Sequence, residues 1–275
     1  MTGPVSQDTL AGHVAMVTGA NHGIGAATAV ALAARGASVV VTYLRLDEAP
    51  DPATPDAGGS PRGQDAAGVL AAITVAGGTG LAMEADLSDP AVPARLFDRA
   101  EAGLGPVDIL VNNASGWLAD TFKADGTDRF GRPLTPVSAA TFDRLFAVDA
   151  RGGALMIAEF TRRYLARRAS YGRIISLTSG DGGGFPEEVS YGAAKAALND
   201  YTLSAARELA DAGITANVLH PPVTDTGWVT DEVRAFVAAS RDLVHVATPE
   251  QVAEVIAYLA SEQATLITGN IIRLR

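Results

Sequence analysis

Tyr191 and Lys195 stand four residues apart, a spacing that puts both side chains on one face of a helix. A free tyrosine ionises at a pKa of about 10. A neighbouring ammonium favours the phenolate and brings that value toward the working range, so the pair can give a proton to a carbonyl oxygen, or take one from a hydroxyl. Ser179 lies upstream, at the expected end of a strand, where its hydroxyl can hydrogen-bond and polarise the same oxygen. Thr178 is the alternative for that hydroxyl. Most Tyr-x-x-x-Lys pairs in proteins are ordinary surface neighbours. This one opens a predicted helix directly after the run Gly180-Asp181-Gly182-Gly183-Gly184, which follows a strand's carboxyl end. That setting favours acid–base chemistry.

A second group of residues is suited to phosphates. The first predicted strand runs into Thr18-Gly19-Ala20-Asn21-His22-Gly23-Ile24-Gly25, and an Ala-rich helix begins at once. Gly19, Gly23 and Gly25 allow a tight turn and close backbone approach, and the helix start offers free N–H groups and a positive dipole end to a pyrophosphate. With a second strand ending soon afterwards, the pattern is that of a dinucleotide site. The end of that second strand reads Thr42-Tyr43-Leu44-Arg45, with no acid until Asp47. An acid there accepts from the ribose 2′-OH of NAD, whereas an Arg accommodates the 2′-phosphate of NADP. Arg45, with His22 on the same side, therefore favours NADP, with NAD still open. The other reading of Arg45 is a solvated loop residue.

The elements that must position these groups alternate along the chain. Strands are expected at 13–17, 38–42, 81–85, 107–111, 173–178, 214–219 and 270–274. Helices are expected near 23–35, 64–76, 92–102, 139–167, 189–211, 231–239 and 249–261, with 139–167 as one long helix. Repeated strand–helix alternation with β-branched strands predicts an α/β fold, a doubly wound parallel sheet of Rossmann type, in a single domain spanning 1–275. Residues 48–63, rich in Pro, Gly, Ala and Asp, read as a surface insertion. Residues 117–135 leave the carboxyl edge of the sheet, where open α/β sheets bind ligands. Trp117 and Trp228 lie in segments flanking that edge, as packing or as substrate contacts.

Composition narrows the function classes. Hydrophobic residues at 48% and charged ones at 19% describe an ordinary globular chain of 275 residues. A formal net charge of −10 argues against a nucleic-acid partner. The absence of cysteine removes disulfides, thiolate catalysis and cysteine-bound zinc. His220 and His245 have no metal-ligand spacing, so no metal is expected. Neither a signal peptide nor an apolar run of about 20 residues is visible, and a cytoplasmic protein without membrane attachment is expected.

In order along the chain, these motifs resemble the short-chain dehydrogenase/reductase family from about Gly12 to Ile272. The spacing Gly-x-x-x-Gly-x-Gly at 19–25 is similar to its cofactor turn. Asp86-Leu87 resembles its adenine-contacting element, Asn112-Asn113-Ala114-Ser115 its Asn-Asn-Ala-Gly element, and Tyr191 to Lys195 with Ser179 its catalytic residues. The resemblance implies that Lys195 also bonds the nicotinamide ribose. It implies too that Asn21, Ile24, Asn113, Ala114, Pro221, Val223, Thr224 and Thr226 line the cofactor. Asp149 occupies the place of the family's relay Asn, which helps hold a water linking the Lys to solvent. An ionised Asp149 at about 6 Å from Lys195, with an effective dielectric of ~20–40, attracts the ammonium by on the order of 1–3 kcal/mol. Pro221-Pro222 replaces the usual Pro-Gly, and the chain stops at Arg275 without the usual Gly-Gly tail.

The implied activity is hydride transfer between a nicotinamide cofactor and a small carbonyl or alcohol substrate, in a homo-oligomer (dimer or tetramer) built by pairing long helices. A cofactor-binding regulatory protein and a fold-related epimerase or dehydratase are the alternatives. Intact Ser179, Tyr191 and Lys195 argue against the first of these.

Overall fold

The computed structural model describes residues 10–46, 63–124, 126–180 and 183–275. Apart from Gly63, the insertion expected at 48–63 lies outside the described residues, as do Asp181 and Gly182 of the glycine run.

The first half of the chain builds β1 (Val14–Val17), α1 (Gly23–Ala34), β2 (Ser38–Tyr43), α2 (Ala67–Val75), β3 (Thr79–Glu84), α3 (Val92–Gly103) and β4 (Val107–Asn112). An excursion carries two short strands, β5 (Asp120–Thr121) and β6 (Thr135–Pro136), which pair in parallel. The second half supplies α4 (Ala139–Leu145), α5 (Gly153–Ala166), β7 (Gly172–Leu177), α6 (Val189–Glu208), β8 (Ile214–His220), α7 (Asp231–Ala239), α8 (Pro249–Ala260) and β9 (Ile271–Arg273). Seven parallel strands form the main sheet in the order β3-β2-β1-β4-β7-β8-β9.

Every residue of β1 and β4 is buried, as expected of central strands covered on both faces. Two apolar clusters lie on opposite sides of the sheet. One joins Val17, Val39 and Val111 to Leu32 of α1 and Ile256 of α8. The other joins Met16 and Leu110 to Phe97 of α3 and Phe160 of α5. Strand order reverses between β1 and β4, and the crevice outside their carboxyl ends is where such sheets hold ligands.

Expected as one helix, 139–167 is broken. Between α4 and α5, Phe146–Gly152 forms a wider π-helical turn. Each such turn inserts residues that the 3.6-residue repeat cannot absorb, and it re-aims the side chains that follow. Tight packing explains its location. A Cβ on Gly152 would lie 3.0 Å from the Leu87 carbonyl oxygen, and one on Gly153 only 2.6 Å from Leu198 of α6. The turn lets α5 approach α6 at glycine distance, and it places Asp149 inward.

Candidate active site

The glycine turn is held from beneath. Thr18 Oγ1 donates to the Val111 carbonyl and accepts from the backbone N–H of Asn113 and of Ala114, at 3.0 Å each. Asn113 Nδ2 donates to the carbonyls of Thr18 and Gly19, at 2.9 Å each. These bonds lock the carboxyl ends of β1 and β4 together across the switch point. Glycine is required for that closeness: a Cβ on Gly19 would stand 2.8 Å from Ala114 Cα, and one on Gly25 2.4 Å from the Gly19 carbonyl oxygen. Asn21 is buried and donates to the Gln64 carbonyl at 2.8 Å, tying the turn to the segment before α2.

α1 begins at Gly23 after His22, with no side-chain cap and no acid in its first turn. Contrast α4, α7 and α8, whose starts are capped by Ser138, Thr230 and Thr248. A helix start left without an internal anion, above a glycine turn at a switch point, fits a pyrophosphate. Ile24 packs against the core beneath. Thr226 reaches over the turn, with its Cγ2 2.9 Å from where a Gly23 Cβ would be. Thr224, also expected to face the cofactor, is instead buried and donates its hydroxyl to the Pro222 carbonyl. Pro221 and Val223 are half-buried, and the Val223 carbonyl accepts from Ala247 N. Asp86 is exposed and accepts from Ser88 N, whereas Leu87 is buried in the core.

Arg45 has a partner that the linear sequence does not show. No acid precedes Asp47 in the chain, yet the sheet supplies one: β2 and β3 pair Tyr43 with Glu84. Arg45 Nε donates to Glu84 at 3.0 and 3.1 Å, and Nη2 donates to Glu84 Oε2 at 2.8 Å.

Tyr191 and Lys195 share one face of α6 as expected, with the Lys195 ammonium 5.7 Å from the Tyr191 ring centroid. Tyr191 is hydrogen-bonded to Ser179, whereas Thr178 Oγ1 is buried without a partner. Lys195 is 2% exposed and Asp149 1%. Their ion pair closes to 2.9 Å, and Asp149 Oδ2 also accepts from Gly116 N at 2.9 Å. The wider turn thus brings Asp149 into direct contact with Lys195, not to the larger separation expected from sequence. Burial pushes the Tyr191 phenol up; Lys195 opposes this, Asp149 and Glu188 reinforce it, and the Ser179 hydrogen bond opposes it. Lys195 thus acts on the phenol in the expected direction and Asp149 offsets it, while burial, which the linear sequence does not show, is the largest influence. Burial lowers the Lys195 ammonium, but Asp149 and then Tyr191 outweigh it, and the net direction is up.

Three features of the site carry no motif in the amino-acid sequence. Asp120, fully buried, accepts from Ser190 N at 2.8 Å and so caps the start of α6 one residue before Tyr191. Arg132 bonds Asp128 at 2.5 Å and Glu188 at 3.3 Å, and its guanidinium lies 5.1 Å from the Trp117 ring and 5.8 Å from the Trp228 ring. Trp117 in turn donates to Glu188. Glu84 is the third. Asp128 and Arg132 stand four residues apart, but the other partners, Ser190 for Asp120, Glu188 and the two tryptophans for Arg132, and Arg45 for Glu84, come from distant segments.

A parallel sheet with a glycine turn at its switch point, beside a Ser–Tyr–Lys cluster, defines a Rossmann-fold oxidoreductase. A family model described as enoyl-(acyl carrier protein) reductase matches residues 59–274. The chain belongs to the short-chain dehydrogenase/reductase family of NAD(P)-dependent oxidoreductases. It is 36% identical over 269 residues to cis-4-hydroxycyclohexanecarboxylate dehydrogenase of Sinomonas cyclohexanicum, covering 96% of each chain. It is 32% identical to the 3-oxoacyl-[acyl-carrier-protein] reductase of Escherichia coli, covering 94% of each. A crystal structure of 3-oxoacyl (acyl-carrier-protein) reductase from Agrobacterium tumefaciens with NADP bound superposes with a TM-score of 0.80 at 28% identity, covering 99% of this chain and 96% of that one. No helix among the described residues is long and apolar enough to cross a membrane.

Proposed function

We propose that this chain is an NADP-preferring carbonyl reductase or alcohol dehydrogenase, with Tyr191 as its proton donor and acceptor. The observation that carries the reading is the line Ser179–Tyr191–Lys195–Asp149, which sits at the carboxyl edge of the sheet beside the glycine turn. The nicotinamide, when bound, supplies or takes the hydride. Ser179 hydrogen-bonds the substrate oxygen and orients it toward Tyr191. Tyr191 passes its phenolic proton to that oxygen as negative charge develops there, and takes a proton back in the oxidation direction. The Lys195 ammonium stabilises the tyrosinate left behind, and Asp149 keeps that ammonium charged inside a buried site.

Gly19, Gly23, Ile24 and Gly25 form the pyrophosphate cradle, with Asn21, Asn113 and Ala114 fixing its shape and His22 at the start of α1. Thr226 and the Pro221–Val223 segment close over the nicotinamide end, buried Thr224 braces that segment through the Pro222 carbonyl, and Asp86 with Leu87 borders the adenine. Arg45 supports NADP, as do the relatives solved with that cofactor. The second copy in the proposed homo-oligomer packs on the outer face of α4, α5 and α6, where Phe142 and Phe146 stack at 4.1 Å.

The test is NADPH absorbance against a panel of ketones. The wild type oxidises NADPH with at least one of them. Tyr191→Phe still binds NADPH but loses about 10²–10⁴-fold in kcat, because Phe keeps the ring and cannot donate a proton. Turnover by Tyr191→Phe within about tenfold of wild type removes Tyr191 from its role.

A further inference from the structure

We propose that Glu84 sets the cofactor specificity of this chain: by engaging Arg45, it curbs the selectivity for the 2′-phosphate and keeps NADH usable. The inference rests on the reading above that the site takes NADP. At the outer end of β2, an acid selects the ribose 2′-OH and an arginine accommodates the 2′-phosphate. Here both groups are present, Arg45 just past the end of β2 and Glu84 as the last residue of the neighbouring β3. Register places Tyr43 opposite Glu84, so an arginine just past the end of β2 falls within reach of the last residue of β3.

The contact is a fork, not a chance approach. Nε and Nη2 both donate to the carboxylate, and the Arg45 backbone N–H adds a bond to Oε1 at 3.3 Å. Side-chain exposures of 54% for Arg45 and 34% for Glu84 leave the pair open to a ligand. Asp65 also acts on Arg45. Of the acids that act on the cation, Glu84 is the one bonded to it. A 2′-phosphate must compete with that carboxylate for the guanidinium and approach its negative charge. A 2′-hydroxyl meets no such penalty, and it can donate to the same carboxylate.

The two side chains are coupled through one ligand group, so their substitutions are not additive. Without Glu84, the whole guanidinium is available to the phosphate. Without Arg45, the carboxylate remains alone and repels it. Glu84 thus holds the enzyme between strict NADP use and NAD use.

The experiment measures the Kd of 2′,5′-ADP and of ADP by calorimetry at fixed ionic strength, together with kcat/KM for NADPH and NADH. Wild type binds 2′,5′-ADP more tightly than ADP by a modest margin. Glu84→Gln widens that margin by roughly 3–10-fold, as a charge-assisted contact becomes undivided. Arg45→Ala reverses it, so that ADP binds the better of the two, and Arg45→Ala/Glu84→Gln brings the ratio close to one. The kcat/KM ratios for NADPH over NADH move in the same directions. An unchanged ratio in Glu84→Gln, with 2′,5′-ADP still bound by wild type, overturns the role of Glu84 and leaves the NADP reading standing. Failure of wild type to bind either nucleotide overturns the NADP reading, and this inference with it.

Discussion

Asp149 is the residue whose chemistry departs most from its surroundings. A carboxylate 2.9 Å from a buried ammonium forms an ion pair with almost no water around it. Removing one member of such a pair strands the other, at a cost of about 3–5 kcal/mol. Asp149→Ala is therefore expected to lower unfolding free energy by about that amount, or to force Lys195 to give up its proton. Asp149→Asn keeps the shape and the acceptor for Gly116 N while removing the charge. In the oxidation direction the tyrosinate is the base, so the rate rises with pH through the Tyr191 pKa. Asp149 raises that pKa. Its replacement by Asn therefore moves the acidic limb of the pH–rate profile toward lower pH. An unmoved limb, measured across the oxidation profile with saturating cofactor, refutes the electrostatic role. Lost activity without a shift leaves Asp149 as a support for Gly116 alone.

At the scale of elements, α6 presents the two central side chains, and a distant segment fixes its start. Glu188 stands at the N-cap position without a side-chain cap, and Asp120 of β5 accepts the Ser190 N–H in its place. A carboxylate there both satisfies an orphan donor and complements the positive end of the helix. Cap removal costs about 0.5–2 kcal/mol. Asp120→Ala should show that loss in Tm, and a drop of about 10–100-fold in kcat as Tyr191 drifts from its line with Ser179. Asp120→Asn, which still accepts the bond, should recover most of the kcat. Equal kcat in Asp120→Ala and wild type would separate the cap from Tyr191. The excursion carrying Asp120 also carries Arg132, so one insertion anchors α6 and joins the two tryptophans over the site.

For the whole molecule, the notable surface is the outer face of α4, α5 and α6. Phe142 is 48% exposed and Tyr201 50%. They share a shallow depression with Ala147, Ala154 and Ala197, small residues that leave room for a second helix pair, and with Asp143, Arg151 and Leu155. Phe146 and Ala150 belong to the wide turn that holds Asp149, so the proposed pairing of this face would also buttress that turn. Phe142→Asp combined with Tyr201→Asp should shift the species seen by light scattering to monomer, with a lower Tm. A monomeric wild type, or an unaltered mass in the double variant, contradicts the pairing.

The amino-acid sequence by itself determined the sheet, the glycine turn and the partnership of Tyr191 with Lys195, because each is written in short-range periodicity. Strands at 107–112 and 214–220 are rich in apolar and β-branched residues, and a four-residue spacing on a helix puts two side chains on one face. Tertiary structure alone decided the rest. Arg45 has no acid before Asp47 along the chain, but parallel register puts Glu84 beside it. Asp149 reads as a helical position set apart from Lys195 until the wide turn between α4 and α5 moves it into contact. Asp120 and Arg132 look like polar loop residues until folding carries them to α6 and to two tryptophans. Local pattern records which backbone a segment prefers. The charge that a side chain finally faces depends on which distant strand or loop packs against it, and the electrostatics of this site were settled there.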